Sequence, residues 1–295
     1  MIEEEGGKVF KDKQCCLGID EAGRGPVLGP MVYACCYWPI EFQDANPELF
    51  KAYVDSKKTT EKEREGIYKK IAAGRDEGLL NYKYFNLDPN VLSNDQLGNV
   101  RNLNEISHDT AIALIEATIK EGTDLKEVYV DTVGPPDKYK KKLENYFAGS
   151  GISFVVESKA DDSYRCVSAA SIVAKFHRDA FLKNWEFVEP GFKDPSHKVF
   201  GCGYPGDDIT KEWLKEHYDK VFGFPTIVRF SWSTCDRFIN DQKMKPDSEK
   251  ISCYFPCQKI KKESFLTESY MPNTDEKKAL EDISGPARVL GLQPF

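Results

Sequence analysis

GIDEAGRGPVLGPMV, residues 18–32, is the stretch on which the reading of this chain turns. Just upstream, CCLGID (15–20) is a short apolar run that ends on an acid, the pattern of a buried strand. Just downstream, MVYACCYW (31–38) is a second such run. The connection GRGPVLGP carries three glycines and two prolines, so the chain turns tightly between the strands. The first strand therefore delivers two adjacent carboxylates, Asp20 and Glu21, to the mouth of a glycine-rich turn.

Further out, LLNYKYFN (79–86) reads as a third strand, rich in aromatics. Residues 60–73 have helical spacing with Ile67 and Ile71 on one face. Residues 104–120 form the clearest amphipathic helix, with Ile106, Ala113, Leu114 and Ala117 on one side. EVYVD (127–131) alternates as a strand, Pro135 and Pro136 open a helical stretch to Phe147, and residues 152–156 read as the next strand. Asp161 and Asp162 are good N-cap types for a long helix through SAASIVAKF. A further helix is expected over 207–220. Strands come first and then alternate with helices, which predicts an α/β or mixed layer structure around one sheet.

The chain has 295 residues, 40% of them apolar, enough for one large domain plus an extension. The boundary is placed near Asn240: residues 1–240 are read as the main domain. Residues 241–295, with weak apolar periodicity, are read as a mostly helical extension that binds a partner. No apolar run is long enough to predict a membrane span. The acidic start, Glu3 to Glu5, argues against a secretory signal. Nine irregularly spaced cysteines favour a reducing compartment over a disulfide framework. Cys15, Cys16, Cys35 and Cys36 read as buried thiols; the alternative is a redox pairing across neighbouring strands. Cys253 and Cys257 stand alone, two ligands short of a zinc site.

The net charge of −7 counts against a non-specific nucleic-acid binder. Basic residues still occur in local groups: Lys57 with Lys58, Lys138 with Lys140 to Lys142, and Lys193 with Lys198. Each group taken alone is an ordinary solvated run.

The chemistry lies in carboxylates at element ends. Asp20 and Glu21 end one strand, Asp131 ends another, and Asp161 or Asp162 opens a helix. A single such acid is ordinarily a turn or cap residue, but three segments can bring acids to one sheet edge, where ligands of α/β sheets bind. An oxygen-only cluster favours a hard cation, Mg²⁺ or Mn²⁺, over zinc. Ser107-His108-Asp109 is no hydrolase triad, because consecutive helical residues point apart; His108 reads as a packing residue. There is no phosphate-loop or dinucleotide glycine pattern. Tyr204, between glycine and proline in GCGYPGD (201–207), is either a packing residue or an aromatic face for a sugar or base.

Residues 18–32, with DEAGRG complete as Asp20 to Gly25, strongly resemble the signature of type 2 ribonucleases H. DSKK (55–58), NLNEISHDTA (102–111), VYVDTVGP (128–135), KADDSYRCVSAASIVAKFHRD (159–179) and GCGYPGD follow as similar blocks in the same order, over roughly 15–240. SHDTA and the FSWST stretch near Trp232 look more like the eukaryotic catalytic subunits than the bacterial enzymes. The resemblance implies an RNase H-like fold with a mixed five-stranded sheet flanked by helices. It implies that Asp20, Glu21, Asp131 and Asp161 are catalytic acids holding two Mg²⁺ or Mn²⁺ ions. It implies that Gly23, Arg24 and Gly25 grip the ribonucleotide through its 2′-hydroxyl, that Tyr204 packs on the ribose at an RNA–DNA junction, and that Lys57 contacts phosphate. The implied substrates are RNA–DNA hybrids and DNA containing single ribonucleotides, cut to 3′-hydroxyl and 5′-phosphate ends. The implied setting is nuclear, in a heterotrimer with two accessory subunits. The pattern is departed from at Asp162, usually small or uncharged, and at Cys202, usually serine. A DNA-only nuclease and a catalytically dead scaffold are the competing readings. The GRG turn with Tyr204 opposes the first, and the full set of four acids opposes the second.

Overall fold

A computed structural model describes residues 2–3, 10–50, 53, 59–132, 134–189, 191–192 and 194–241. Lys57, Cys253, Cys257 and the extension from residue 242 lie outside the described residues. Residues Ile2–Gln242 form one compact unit.

The strands are β1 (Ile2–Glu3), β2 (Gln14–Ala22), β3 (Met31–Pro39), β4 (Asn81–Leu87), β5 (Asp124–Asp131) and β6 (Ser153–Glu157), arranged in the sheet order β1-β4-β3-β2-β5-β6. β2, β3 and β4 pair antiparallel, whereas β5 and β6 join β2 in parallel. This is the expected mixed five-stranded sheet, lengthened at one edge by the two residues of β1.

The helices are α1 (Ile40–Ala45), α2 (Pro47–Phe50), α3 (Glu61–Asp76), α4 (Pro89–Leu97), α5 (Leu103–Lys120), α6 (Pro136–Tyr146), α7 (Ala160–Ser163), α8 (Arg165–Lys183), α9 (Asp208–Glu216) and α10 (Ser233–Asp241). Helix starts follow from local chemistry: Thr60 with Glu63 and Asn102 with Glu105 form reciprocal capping boxes at α3 and α5. Asp207 caps α9 by accepting from the Thr210 amide.

Every position of β3 is buried, so the strand reads as a continuous apolar run. Helix α8 packs directly over β2. A Cβ on Gly18 would lie 2.2 Å from the backbone of Cys166 and Val167, so only glycine admits this approach. The buried stripe of α5 runs through Ile106, Thr110, Ala111, Leu114, Ile115 and Thr118, with Ala113 and Ala117 at its margin. The face is rotated from the expected one because hydroxyl residues line the core side. Ser107, Thr110 and Thr118 donate to the carbonyls of Leu103, Ile106 and Leu114, which satisfies them internally.

The long helix does not begin at Asp161. Tyr164 is extended (φ −117°, ψ 120°), so Asp161 and Asp162 sit in the one-turn α7 and α8 starts at Arg165. Cys15, Cys16, Cys35 and Cys36 are buried free thiols. The β2–β3 register sets Cys36 against Gly18 and Cys35 against Ile19, so the cysteines do not face one another across the pair. Burial pushes the Cys15 and Cys35 thiols up to about 12, far from the reactive thiolate range.

A second, smaller core joins Val27 and Leu28, from the turn after β2, to Phe200, Trp213, Leu214, Ile227 and Val228. Backbone bonds reinforce it: Val27 N–H to the Gly203 carbonyl at 2.8 Å, Gly29 N–H to Ile227 at 2.8 Å, and Arg229 N–H to Val27 at 2.8 Å. The glycine-rich turn therefore lies along a seam between the sheet and the segment that follows α8.

Candidate active site

The parallel ladder pairs Ile19 with Val130, so one residue later Asp20, still within β2, and Asp131, the last residue of β5, stand side by side. β6 pairs Glu157 with Asp131, and the chain then reverses through Lys159 in a left-handed conformation (φ 62°). That reversal brings Asp161 to the same point. One carboxylate oxygen from each of Asp20, Asp131 and Asp161 lies within 4.8 Å of the others. The cluster is held from its own backbone. The Glu21 amide donates to Asp20 Oδ1 at 2.7 Å, the Ala160 amide to Asp131 Oδ1 at 3.1 Å, and Ser168 Oγ to the Asp161 carbonyl at 2.5 Å.

Glu21 does not join these three acids. As the next residue on an extended strand it projects to the opposite face. There its charge helps to raise the buried hydroxyls of Tyr33 and Tyr139, both raised mainly by burial. Asp162 is exposed, so the cluster selects Asp161.

Three acids this close repel, and Asp20 is only 2% exposed. Burial first, then the charges of Glu21 and Asp131, hold its carboxyl well above the usual range. Its Oδ2 is buried with no hydrogen-bond partner among the described residues. Carboxylate oxygens from three residues brought this close are the donor set of a hard divalent cation, and Asp20, Asp131 and Asp161 fit one.

Beside the acids, Gly23 turns with φ +82°, and a Cβ there would strike Arg178 Nε at 2.2 Å. The carbonyls of the turn are tied down from behind. Arg229, fully buried, donates from Nη2 to Gly23 at 2.6 Å, from Nη1 to Arg24 at 3.1 Å and from Nε to Gly29 at 2.8 Å. Trp232, 4.9 Å from the Arg229 guanidinium, donates from Nε1 to Gly25 at 3.2 Å. Burial and neighbouring Arg178 pull the Arg229 guanidinium down to about 9, which leaves it charged at neutral pH. The amides of Gly23, Arg24 and Gly25 have no acceptor among the described residues. The Arg24 side chain faces the protein, donating to Ser107 Oγ at 2.5 Å and Asn104 Oδ1 at 2.6 Å. Its part in this turn is thus played by its backbone.

Tyr204 is half-exposed and its ring packs on the turn; a Cβ on Gly25 would sit 3.3 Å from Tyr204 Cε1. The loop carrying it is fixed by Asp207, whose Oδ2 accepts from the Cys202 amide at 3.0 Å and from Thr210 Oγ1 at 2.8 Å. Cys202 is exposed, and its amide rather than its thiol makes that contact. His108 stacks on Tyr139 at 3.7 Å, the packing role expected of it. Arg229 and Trp232 are not legible as site residues in the sequence. Their only signal is the FSWST stretch beside them.

The chain is similar to known proteins along most of its length. The pattern of the ribonuclease HII family matches residues 17–235. The chain is 49% identical over 227 residues to the ribonuclease H2 A-subunit of Arabidopsis thaliana, covering 77% of this chain and 74% of that one. It is 45% identical over 254 residues to the mouse counterpart of that protein, covering 82% of each. Among solved structures, ribonuclease H2 from Pyrococcus horikoshii OT3 superposes with a TM-score of 0.62 at 26% identity, covering 79% of this chain and 100% of that one. With the acid cluster, the turn and Tyr204 all inside the matched span, the chain belongs to the ribonuclease HII family.

Proposed function

We propose that this chain is the catalytic subunit of a ribonuclease H that hydrolyses the RNA strand of RNA–DNA hybrids and cuts 5′ of single ribonucleotides embedded in duplex DNA. The observation that carries the reading is the juxtaposition of two devices on adjacent residues of one strand and its turn. Asp20, with Asp131 and Asp161, makes a carboxylate cluster, and Gly23 to Gly25 make a turn whose carbonyls are bound and whose amides are open.

Asp20, Asp131 and Asp161 are assigned to two divalent ions, Mg²⁺ or Mn²⁺, with Glu21 completing the acid set from the other side of the strand. Held there, the ions would supply the activation of water and offset charge on the scissile phosphate, so that hydrolysis would leave 3′-hydroxyl and 5′-phosphate ends. The protein's own work is positioning. The 2′-hydroxyl is the sugar group that separates RNA from DNA, and a backbone turn of glycines can approach it closely. Arg229 and Trp232 keep that turn's amides facing outward. Tyr204 offers its ring to the sugar beside the turn, where the step from ribo- to deoxyribonucleotide falls. Lys57 is assigned to phosphate. Residues 241–295 are assigned to docking two accessory subunits, and the setting is nuclear.

The test is incubation of the purified full chain, alone and with its accessory subunits, with a hybrid, a duplex containing one ribonucleotide and an all-DNA duplex. Mg²⁺-dependent cutting of the first two is expected, and Asp131→Asn should abolish it while the fold persists. Cutting of none, even with partners present, overturns the reading; cutting of all-DNA duplex would mark a DNA nuclease instead.

A further inference from the structure

Helix α6 carries Lys138, Lys141, Lys142 and Asn145 at i, i+3, i+4 and i+7, so the four share one face. Lys138, Lys141, Lys142 and Asn145 line a shallow concavity of about 580 Å³ with Tyr146. The acids that α5 turns toward this face are already compensated. Asp109 pairs with Lys142 at 2.9 Å and with Arg101 at 3.7 Å. Glu116 accepts from Tyr146 Oη at 2.8 Å and pairs with Lys120 at 3.6 Å. Lys140 leans to Glu144 on its own helix at 3.9 Å. Lys138 and Lys141 are exposed, and neither has an ion-pair partner among the described residues. The face therefore holds uncompensated positive charge on a chain whose net charge is −7.

Its place in the fold gives that charge a use. Helix α6 starts shortly after Asp131 leaves β5. Tyr139, next to Lys138, is buried against His108 and feels the charge of Glu21. The first turn of α6 thus abuts the acid-bearing end of the sheet, and the stripe runs away from it toward Tyr146, over about 10 Å at 1.5 Å per residue.

We propose that this face of α6 is a distal duplex-binding stripe, which holds the phosphate backbone of the nucleic acid beyond the reacting ribonucleotide. Lysine suits this role because it is a flexible point charge that meets phosphates without reading sequence. The stripe spans about three phosphates of one strand at 3.4 Å of axis each, matching two free lysines and an amide. The inference rests on the ribonuclease H reading and adds the extent of the substrate footprint.

Binding of the full chain to two hybrids is measured by fluorescence anisotropy in EDTA, which prevents cutting. The short hybrid, of about 8 base pairs, has its only ribonucleotide at the end that faces α6 and so leaves the stripe empty; the long one, of about 20, continues about 10 base pairs past the ribonucleotide on that side, roughly 34 Å at 3.4 Å per pair. For Lys138→Ala/Lys141→Ala, the long hybrid should bind about tenfold more weakly at low salt. The slope of log K against log salt should fall by about 2, as expected for two lost phosphate contacts. The short hybrid should bind within about twofold of wild type, kcat at saturation in Mg²⁺ should be unchanged, and Lys138→Arg/Lys141→Arg should restore affinity by keeping the charge. Unchanged affinity and slope on the long hybrid overturn the proposal. So does equal weakening on both lengths, or loss of binding only to an acidic partner protein. If wild type cuts no hybrid, the functional reading has failed; if wild type cuts and the double variant binds like it, only the stripe has failed.

Discussion

Arg229 Nη2 donates to the carbonyl of Gly23 at 2.6 Å, joining residues 206 positions apart in the chain. Two further donations from the same guanidinium, to Arg24 and Gly29, make one buried side chain the common anchor of the turn. Removing it leaves buried carbonyls unpaired, at about 1–3 kcal/mol each. Arg229→Gln should lower the thermal midpoint by roughly 5 °C or more, at about 2–4 °C per kcal/mol for a domain of this size. It should also raise KM for hybrid more than it lowers kcat. A variant that melts and cleaves like wild type would show that the anchor does nothing.

The acid cluster predicts an inverted pH response in the metal-free protein. The Asp20 carboxyl is held above 3.8 in the folded state, so ionising it costs folding free energy. Stability should fall as pH rises from about 3.8 through the raised value, and the loss should persist at neutral pH. Asp20→Asn carries no charge, so in EDTA at pH 7 it should melt a few degrees above wild type, with the gap closing in strong acid. Added Mg²⁺ should stabilise wild type in a concentration-dependent way and the variant less. Calorimetry across pH in EDTA and in Mg²⁺ checks both halves; a variant that melts lower in EDTA at pH 7 contradicts the account.

The two glycines of the turn should fail differently. Gly23 has φ +82°, and its Cβ would meet Arg178 and the Pro30 carbonyl, so Gly23→Ala should destabilise by about 2–4 kcal/mol. Gly25 has ordinary backbone and meets only the Tyr204 ring at 3.3 Å. Gly25→Ala should therefore melt within about 1 kcal/mol of wild type yet lose hybrid cleavage, as should Tyr204→Ala, whose side chain is half-exposed. Chemical denaturation set beside cleavage rates separates the two kinds of loss.

Gly18 tests the fold rather than the site. With backbone at 2.2 Å from a Cβ on that residue, Gly18→Ala must push α8 off β2 or distort both. A loss of more than about 3 kcal/mol is expected, read from the denaturation midpoint. Because Asp20 and Ser168 sit on the two elements that would part, metal binding should weaken along with stability.

Asp20, Asp131 and Asp161 are legible as acids at element ends because strand periodicity fixes which edge a terminal residue reaches. Their convergence needs the β2–β5 register and the left-handed Lys159, neither of which leaves a compositional trace. Glu21 shows the limit: next to Asp20 in sequence and near enough for its charge to act there, it stands outside the three-acid cluster because a strand alternates its faces. The α5 face differs from the expected one because buried hydroxyls look polar until their i−4 acceptors are seen. Arg229 is invisible for the opposite reason. A lone arginine in an apolar stretch reads as surface, and only the seam between the two cores shows that it is enclosed.

That enclosure also orders events at the ribosome. The turn emerges among the first thirty residues, but the guanidinium and indole that hold its carbonyls follow some two hundred residues later. At about 5–20 residues per second, the nascent chain spends about 10–40 s with the turn made and the carbonyls of Gly23, Arg24 and Gly25 unanchored. Synthesis itself therefore delays competence to act on RNA until nearly all of the folded unit has been translated.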